Sequence, residues 1–150
     1  MRLFLLLTMA VVFVSACGND GTTDASGDFP FFEGVYEGPF QEAGASGDET
    51  SQFACDMRID AHDQFADGFT AEVYFLAGGD CANEVLWAAT NGTIDTNGNV
   101  AIGWDYSDVC GTFDGDTELS GSLSGNTVTL SASYTCDGWA YTDTYSGTRD

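Results

Sequence analysis

Trp139, Tyr141, Asp143 and Tyr145 recur at every second position near the end of the chain. In an extended strand this spacing sets three aromatic rings and one carboxylate on a single face, with Ala140, Thr142, Thr144 and Ser146 on the other. Apolar walls with a few placed polar groups are what a small-molecule or sugar pocket requires. Trp104 and Tyr106, also alternate, line the same space if their strand faces the same interior. A carboxylate taken out of water on that face needs a tyrosine hydroxyl, a ligand or Arg149 beside it. The candidate ligand-binding set is therefore Trp104, Tyr106, Trp139, Tyr141, Asp143 and Tyr145. The same rings also suit an ordinary sheet core, since Trp and Tyr pack well there. A cavity beside Trp104, Trp139 and Tyr141 separates binding from mere packing.

Two other segments carry oxygen side chains at alternate positions, Asp95-Thr96-Asn97-Gly98-Asn99 and Asp114-Gly115-Asp116-Thr117-Glu118. Calcium needs six or more converging oxygens, and such loops supply several, but neither has the glycine and distal glutamate of an EF-hand loop. Calcium is thus the one ion to test, and no resident cofactor or metal is expected. The single histidine, His62, sits in Asp60-Ala61-His62-Asp63, read as a polar turn, and no Gly-x-Ser-x-Gly nucleophile motif accompanies it. No catalytic residue is assigned, and an enzyme is not expected. Cys55, Cys81, Cys110 and Cys136 are scattered singly, without a Cys-x-x-Cys pair, so disulfides are favoured over zinc.

The shift that carries Cys55 onto Cys110 also carries Cys81 onto Cys136, Gly92-Thr93 onto Gly147-Thr148, and Val73-Tyr74-Phe75 onto Val128-Thr129-Leu130. This is a weak internal duplication, and it favours bridges within each repeat, Cys55–Cys81 and Cys110–Cys136.

The elements that must position these residues are strands. Apolar side chains alternate in Phe53, Cys55, Met57 and Ile59, in Phe69, Ala71, Val73 and Phe75, and in Val100, Ile102, Trp104 and Tyr106. The cleanest strand holds Val128, Leu130, Ala132 and Tyr134 on one face. Asp67-Gly68, Gly78-Gly79, Asn97-Gly98 and Gly125-Asn126 supply the positive φ of tight hairpin turns. Gly103 and Gly121 inside strands mark bulges or tight curvature. Residues 41–52 read as a long polar loop. The result is an all-β fold, an antiparallel up-and-down meander of about eight strands, with a small closed β-barrel preferred to a β-sandwich because closure removes the edges. Tyr36-Glu37-Gly38 is similar to Tyr145-Ser146-Gly147, as pairing of first and last strands would produce. Gly34-Val35-Tyr36 resembles the Gly-x-Trp opening of lipocalin- and avidin-like barrels, with tyrosine in place of tryptophan.

The chain carries 24 acidic residues against three arginines and no lysine, a net charge of −21. Such a field argues against nucleic acid or anionic lipid surfaces as partners and favours solubility. Arg2 precedes an apolar run over residues 3–14, too short for a spanning helix and ended by small residues, which reads as an export signal. Val14-Ser15-Ala16-Cys17 resembles the lipobox of bacterial lipoproteins, with valine where leucine is more usual. The resemblance implies a diacylglyceryl group on the Cys17 sulfur, cleavage before it and acylation of the new amino group. Gly18, in place of the aspartate that retains lipoproteins in the inner membrane, implies the outer membrane, facing periplasm or exterior. The chain then divides into a signal peptide (1–16), a lipidated cysteine with a flexible tether (17–29) and one all-β domain (30–150). The expected function is a lipid-anchored, non-catalytic module binding a small amphipathic molecule or sugar. The alternative is a structural or protein-interaction lipoprotein with a solid core and an acidic exterior.

Overall fold

The computed structural model describes residues 29–150. The export signal, Cys17 and the tether up to residue 28 lie outside the described residues. Nine strands follow: β1 (Gly34–Ser46), β2 (Glu49–Phe65), β3 (Gly68–Phe75), β4 (Val85–Ile94), β5 (Asn99–Gly103), β6 (Phe113–Gly115), β7 (Glu118–Ser124), β8 (Thr127–Cys136) and β9 (Trp139–Arg149). Every pairing is antiparallel and runs β1-β2-β3-β4-β5-β7-β8-β9, with β9 returning to β1. Eight strands thus close a barrel. The short β6 pairs with the end of β8 beyond the reach of β7, extending that part of the wall.

Alternation fills the interior. Met57 and Ile59 of β2, Val73 of β3, Ile102 of β5 and Leu130 of β8 are almost wholly buried, as an eight-stranded barrel packed with its own side chains requires. One end is plugged. Phe32 is completely buried and stacks on Tyr36 at 4.7 Å and against Phe69 at 4.6 Å. Gln64 fixes this plug, accepting from the Phe32 amide at 2.7 Å and donating to the Pro30 carbonyl at 3.0 Å. Arg149 closes the same end, donating to the Glu33 carbonyl at 2.7 Å.

Three local readings change. Residues 41–52 are not a loop: β1 and β2 continue through them in register to Ser46↔Glu49, and Gly47 turns the hairpin at φ 61°. Polar composition hid the strand, because these residues lie at a barrel end where inward positions need not be apolar. His62 lies within β2 rather than in a turn, beside a bulge at which Asp63 takes φ 54°. The strand holding Val100 and Ile102 ends at Gly103, not at Tyr106. There the Trp104 amide turns to the Thr117 carbonyl at 2.7 Å and Asp105 accepts from the Ser107 amide at 2.8 Å, starting a loop. Gly121 is a point of close backbone approach, since a Cβ there would collide with the Thr129 carbonyl of β8, and the register runs through it without a bulge.

The disulfides are Cys55–Cys81 and Cys110–Cys136. The first ties β2 to the β3–β4 connection, and the second ties the loop after β5 to the end of β8. The duplication shift carries part of β3 onto β8 and the whole of β4 onto β9, and buried Val73 then falls on buried Val128. Each bridge closes a loop with a sequence separation of 26. Replacing Cys110 and Cys136 together by serine is expected to lower the unfolding free energy by about 3 kcal/mol through the gain in unfolded-chain entropy, measured as a fall in the urea midpoint against the oxidised wild type.

Candidate functional site

The end opposite the plug is built differently. The β1–β9 register sets Glu42 directly across from Asp143. Both occupy inward positions, Glu42 half-buried and Asp143 with 0% of its surface exposed. Closure of the sheet therefore brings together two carboxylates that lie far apart in the chain. The Trp104 indole N–H donates to Asp143 Oδ2 at 2.7 Å, while Asp143 Oδ1 is buried without a hydrogen-bond partner among the described residues. The Tyr134 hydroxyl donates to Glu42 Oε2 at 3.2 Å.

Around the pair stands a row of rings. Tyr134 stacks on Tyr106 with centroids 4.9 Å apart and planes 17° apart, and on Tyr141 at 5.4 Å and 23°. Trp139 continues the row 6.3 Å beyond Tyr141, and Phe113 of β6 stacks on Tyr134 at 5.7 Å. Trp87, 42% exposed, leans on Tyr106 at 5.5 Å and on Trp104 at 6.1 Å. Two strand ends and the Cys110–Cys136 bridge hold these rings in place. β8 and β9 meet in a tight turn at Asp137-Gly138, both residues at positive φ, as a two-residue hairpin requires. Disulfide Cys110–Cys136 ties the loop after Tyr106 to that hairpin.

Burial pushes the Asp143 carboxyl up to about 7. The Trp104 hydrogen bond opposes this, the nearby charge of Glu42 adds to it, and the Tyr134 hydroxyl opposes it. The Tyr134 and Tyr106 hydroxyls are raised as well, by burial first and then by the neighbouring negative groups. No basic side chain of the described residues meets the pair. Arg58 binds Glu84 at 2.9 Å and lies over the Tyr74 ring, Arg149 serves the plugged end, and His62 is held by Asp63 and Thr70 near that same end.

Of the residues read from the sequence, Trp104, Tyr106, Trp139, Tyr141 and Asp143 gather here. Tyr145 shares the β9 face but lies deeper: it is 1% exposed and its hydroxyl donates to the Tyr36 carbonyl at 2.7 Å, which makes it part of the core. Arg149 does not reach Asp143. Trp104 too is 1% exposed, packed between Phe40 and Phe75. Tyr106, Tyr141 and Trp139 keep partial access to solvent. The sequence reading missed Glu42, Tyr134, Phe113 and Trp87. The signal for Glu42 was the expected pairing of first and last strands, which places some β1 residue opposite Asp143. At the calcium candidate, Asp95 spends both oxygens on its own hairpin, accepting from the Asn97 and Asn99 amides and the Asn99 side chain at 2.7–2.9 Å. Asp116 accepts from the Ser133 amide at 2.8 Å.

No family model, curated protein or solved structure matches this chain.

An acid whose pKa is raised on folding binds its proton more tightly in the native state, so its contribution to stability falls as pH rises from 3.8 to about 7. Asp143→Asn keeps the shape and cannot ionise. Urea unfolding at a series of pH values is expected to show this variant more stable than wild type at pH 8, by on the order of 2 kcal/mol after the cost of its unpaired amide. The difference should narrow or reverse towards pH 4.

Proposed function

We propose that the protein is a bacterial lipoprotein held by acyl chains on Cys17 in the outer membrane, and that its barrel is a non-catalytic module binding a small amphipathic molecule or sugar. The supporting observation is the row of stacked rings at the end opposite the plug, partly exposed at Tyr106, Tyr141 and Trp139 and beside carboxylates that no basic side chain of the described residues neutralises. Stacked aromatic faces with few polar groups suit flat or partly apolar ligands, since the rings supply contact area and the carboxylates fix orientation. The described chain enters through residues 30–33 at the plugged end. In this reading the lipid anchor on Cys17 joins the domain at that end. More than one acyl chain suffices for stable anchoring, so the domain need not touch lipid. The non-catalytic reading rests on the position of His62, which lies near the plugged end with no nucleophile motif beside it.

A structural lipoprotein with a solid core is the competing reading, favoured by the burial of Trp104. The two readings diverge in the rim residues, which a solid-core protein does not need. Tryptophan fluorescence of the purified, oxidised protein is expected to shift saturably with a sugar or an apolar probe. Trp139→Ala and Tyr141→Ala should each abolish the shift while thermal unfolding stays cooperative. If both substitutions collapse the fold, or no probe of either class shifts the wild type, the solid-core reading stands.

A further inference from the structure

We infer that the row of rings is a relay for single electrons. An oxidising equivalent that a small inorganic or oxygen-derived radical leaves on a tryptophan is passed from ring to ring to Tyr134, and Glu42 takes the phenolic proton. This goes beyond ligand binding and does not depend on it, because a relay needs rings in contact rather than a space between them.

The placement of the oxidisable rings comes first. Tryptophan and tyrosine give up an electron far more readily than phenylalanine, and the chain has three tryptophans and six tyrosines. All three tryptophans belong to one unbroken series of contacts. Trp87 meets Trp104 at 6.1 Å, Trp104 meets Tyr106 at 5.8 Å, and Tyr106 meets Tyr134 at 4.9 Å. Tyr141 follows at 5.4 Å and Trp139 at 6.3 Å. Electron transfer falls off steeply with the gap between rings, so short successive steps outrun one long jump. Trp87, 42% exposed, gives an oxidant access, and Trp104 carries the series into the barrel.

The second observation is where the protons can go. An oxidised indole or phenol is strongly acidic, and its transfer is completed only by a base within hydrogen-bond reach. The Trp104 indole N–H has Asp143 Oδ2 at 2.7 Å, and the Tyr134 hydroxyl has Glu42 Oε2 at 3.2 Å. Burial pushes the Asp143 carboxyl up to about 7, so its ionised form is a stronger base than a solvated aspartate. The other buried tyrosines lack such a partner. Tyr145 donates to the Tyr36 carbonyl, which is not basic, and the Tyr36 hydroxyl has no partner among the described residues. Tyr74 does donate to Glu72 at 2.6 Å, but it stands on the outer face of β3, outside the series, with the Arg58 guanidinium over its ring.

The steps balance. The radical takes one electron from Trp104, directly or through Trp87, and leaves as its reduced anion. The indole proton crosses to Asp143, and a neutral indolyl radical remains. One electron then passes from Tyr134 through Tyr106 to Trp104. Asp143 returns its proton to the indole nitrogen as the Tyr134 proton moves to Glu42. Trp104 is restored, and Tyr134 is left one electron and one proton short. A small thiol or enediol reductant at the rim supplies both, through partly exposed Tyr141.

Azide radical made by pulse radiolysis oxidises tryptophan ahead of tyrosine and is the probe, used on the purified, oxidised protein at pH 8. The tryptophanyl absorption is expected to decay as the tyrosyl absorption rises, with one first-order rate that does not change with protein concentration. Tyr134→Phe keeps the stack but not the hydroxyl, and Glu42→Gln keeps both rings but not the base. Each should slow the tyrosyl rise about tenfold or more, with thermal unfolding still cooperative. Tyr74→Phe and Tyr145→Phe should leave the rate unchanged. If Tyr134→Phe does not fold, Glu42→Gln, at a half-buried site, decides. No tyrosyl rise, or a rate that scales with protein concentration, overturns the relay. An unchanged rate in Glu42→Gln overturns its end-point, and loss of the tyrosyl signal in Tyr74→Phe overturns its route.

Discussion

Pairing of β1 with β9 is the constraint on which the rest of the molecule depends. A sheet of eight strands left open would expose two edges and present one apolar face to water. Closed, it has a single interior whose width suits side chains alone, and every second residue of eight strands contributes to it. Closure also sets a register, and that register determines what meets at the end opposite the plug. Tyr36 falls opposite Arg149, Phe40 opposite Tyr145 and Glu42 opposite Asp143. A slip of one residue would send all of these side chains to the other face. The carboxylate pair, the core packing of Phe40 and the seal made by Arg149 are therefore consequences of one pairing.

The interior so formed grades from apolar to polar along its axis. At the plugged end Phe32 and Phe69 close the barrel with aromatic contact, backed by hydrogen bonds from Gln64 and Arg149. Midway, Met57, Ile59 and Val73 fill the space. Towards the other end each added layer brings a polar atom: the indole N–H of Trp104, the carboxylate of Asp143, then the hydroxyl of Tyr134 and Glu42. Burying a carboxylate in such a setting is costly unless it is bonded, and one hydrogen bond satisfies only one of its oxygens. The fold bears this cost with closed strands and two disulfides behind it.

Alternation made most of the fold legible. Val128, Leu130, Ala132 and Tyr134 announce their strand because each faces a core that accepts only apolar or aromatic groups, and glycine pairs announce the turns between strands. Asp143 and the rings of β9 were legible for the same reason, one polar residue standing out in an aromatic series. Glu42 was not, because its neighbours Gln41, Ala43 and Gly44 are indistinguishable from a loop when read locally. Its strand exists because it continues a hairpin whose register β2 and β9 enforce from both sides. Tyr134 was legible as core but not as site, since its partners Tyr106, Tyr141 and Glu42 come from three other segments. Trp87 sits where β4 has no β5 partner, for β5 pairs only with Gly92, Thr93 and Ile94. That gap depends on the bend after Gly103, which no periodicity marks.

The acidity of the chain and the register of the barrel act on the same pair. A net charge of −21 sets a negative background, screened beyond about 8 Å at physiological salt. Within that distance the β1–β9 pairing sets Glu42 across from Asp143. Burial disfavours the ionised Asp143 carboxyl, and the charge of Glu42 adds to that, so a proton is held there to a higher pH than on a solvated aspartate. A slip of one residue would turn one member of the pair to the other face and release the coupling. The titration of Asp143 is therefore a readout of barrel closure.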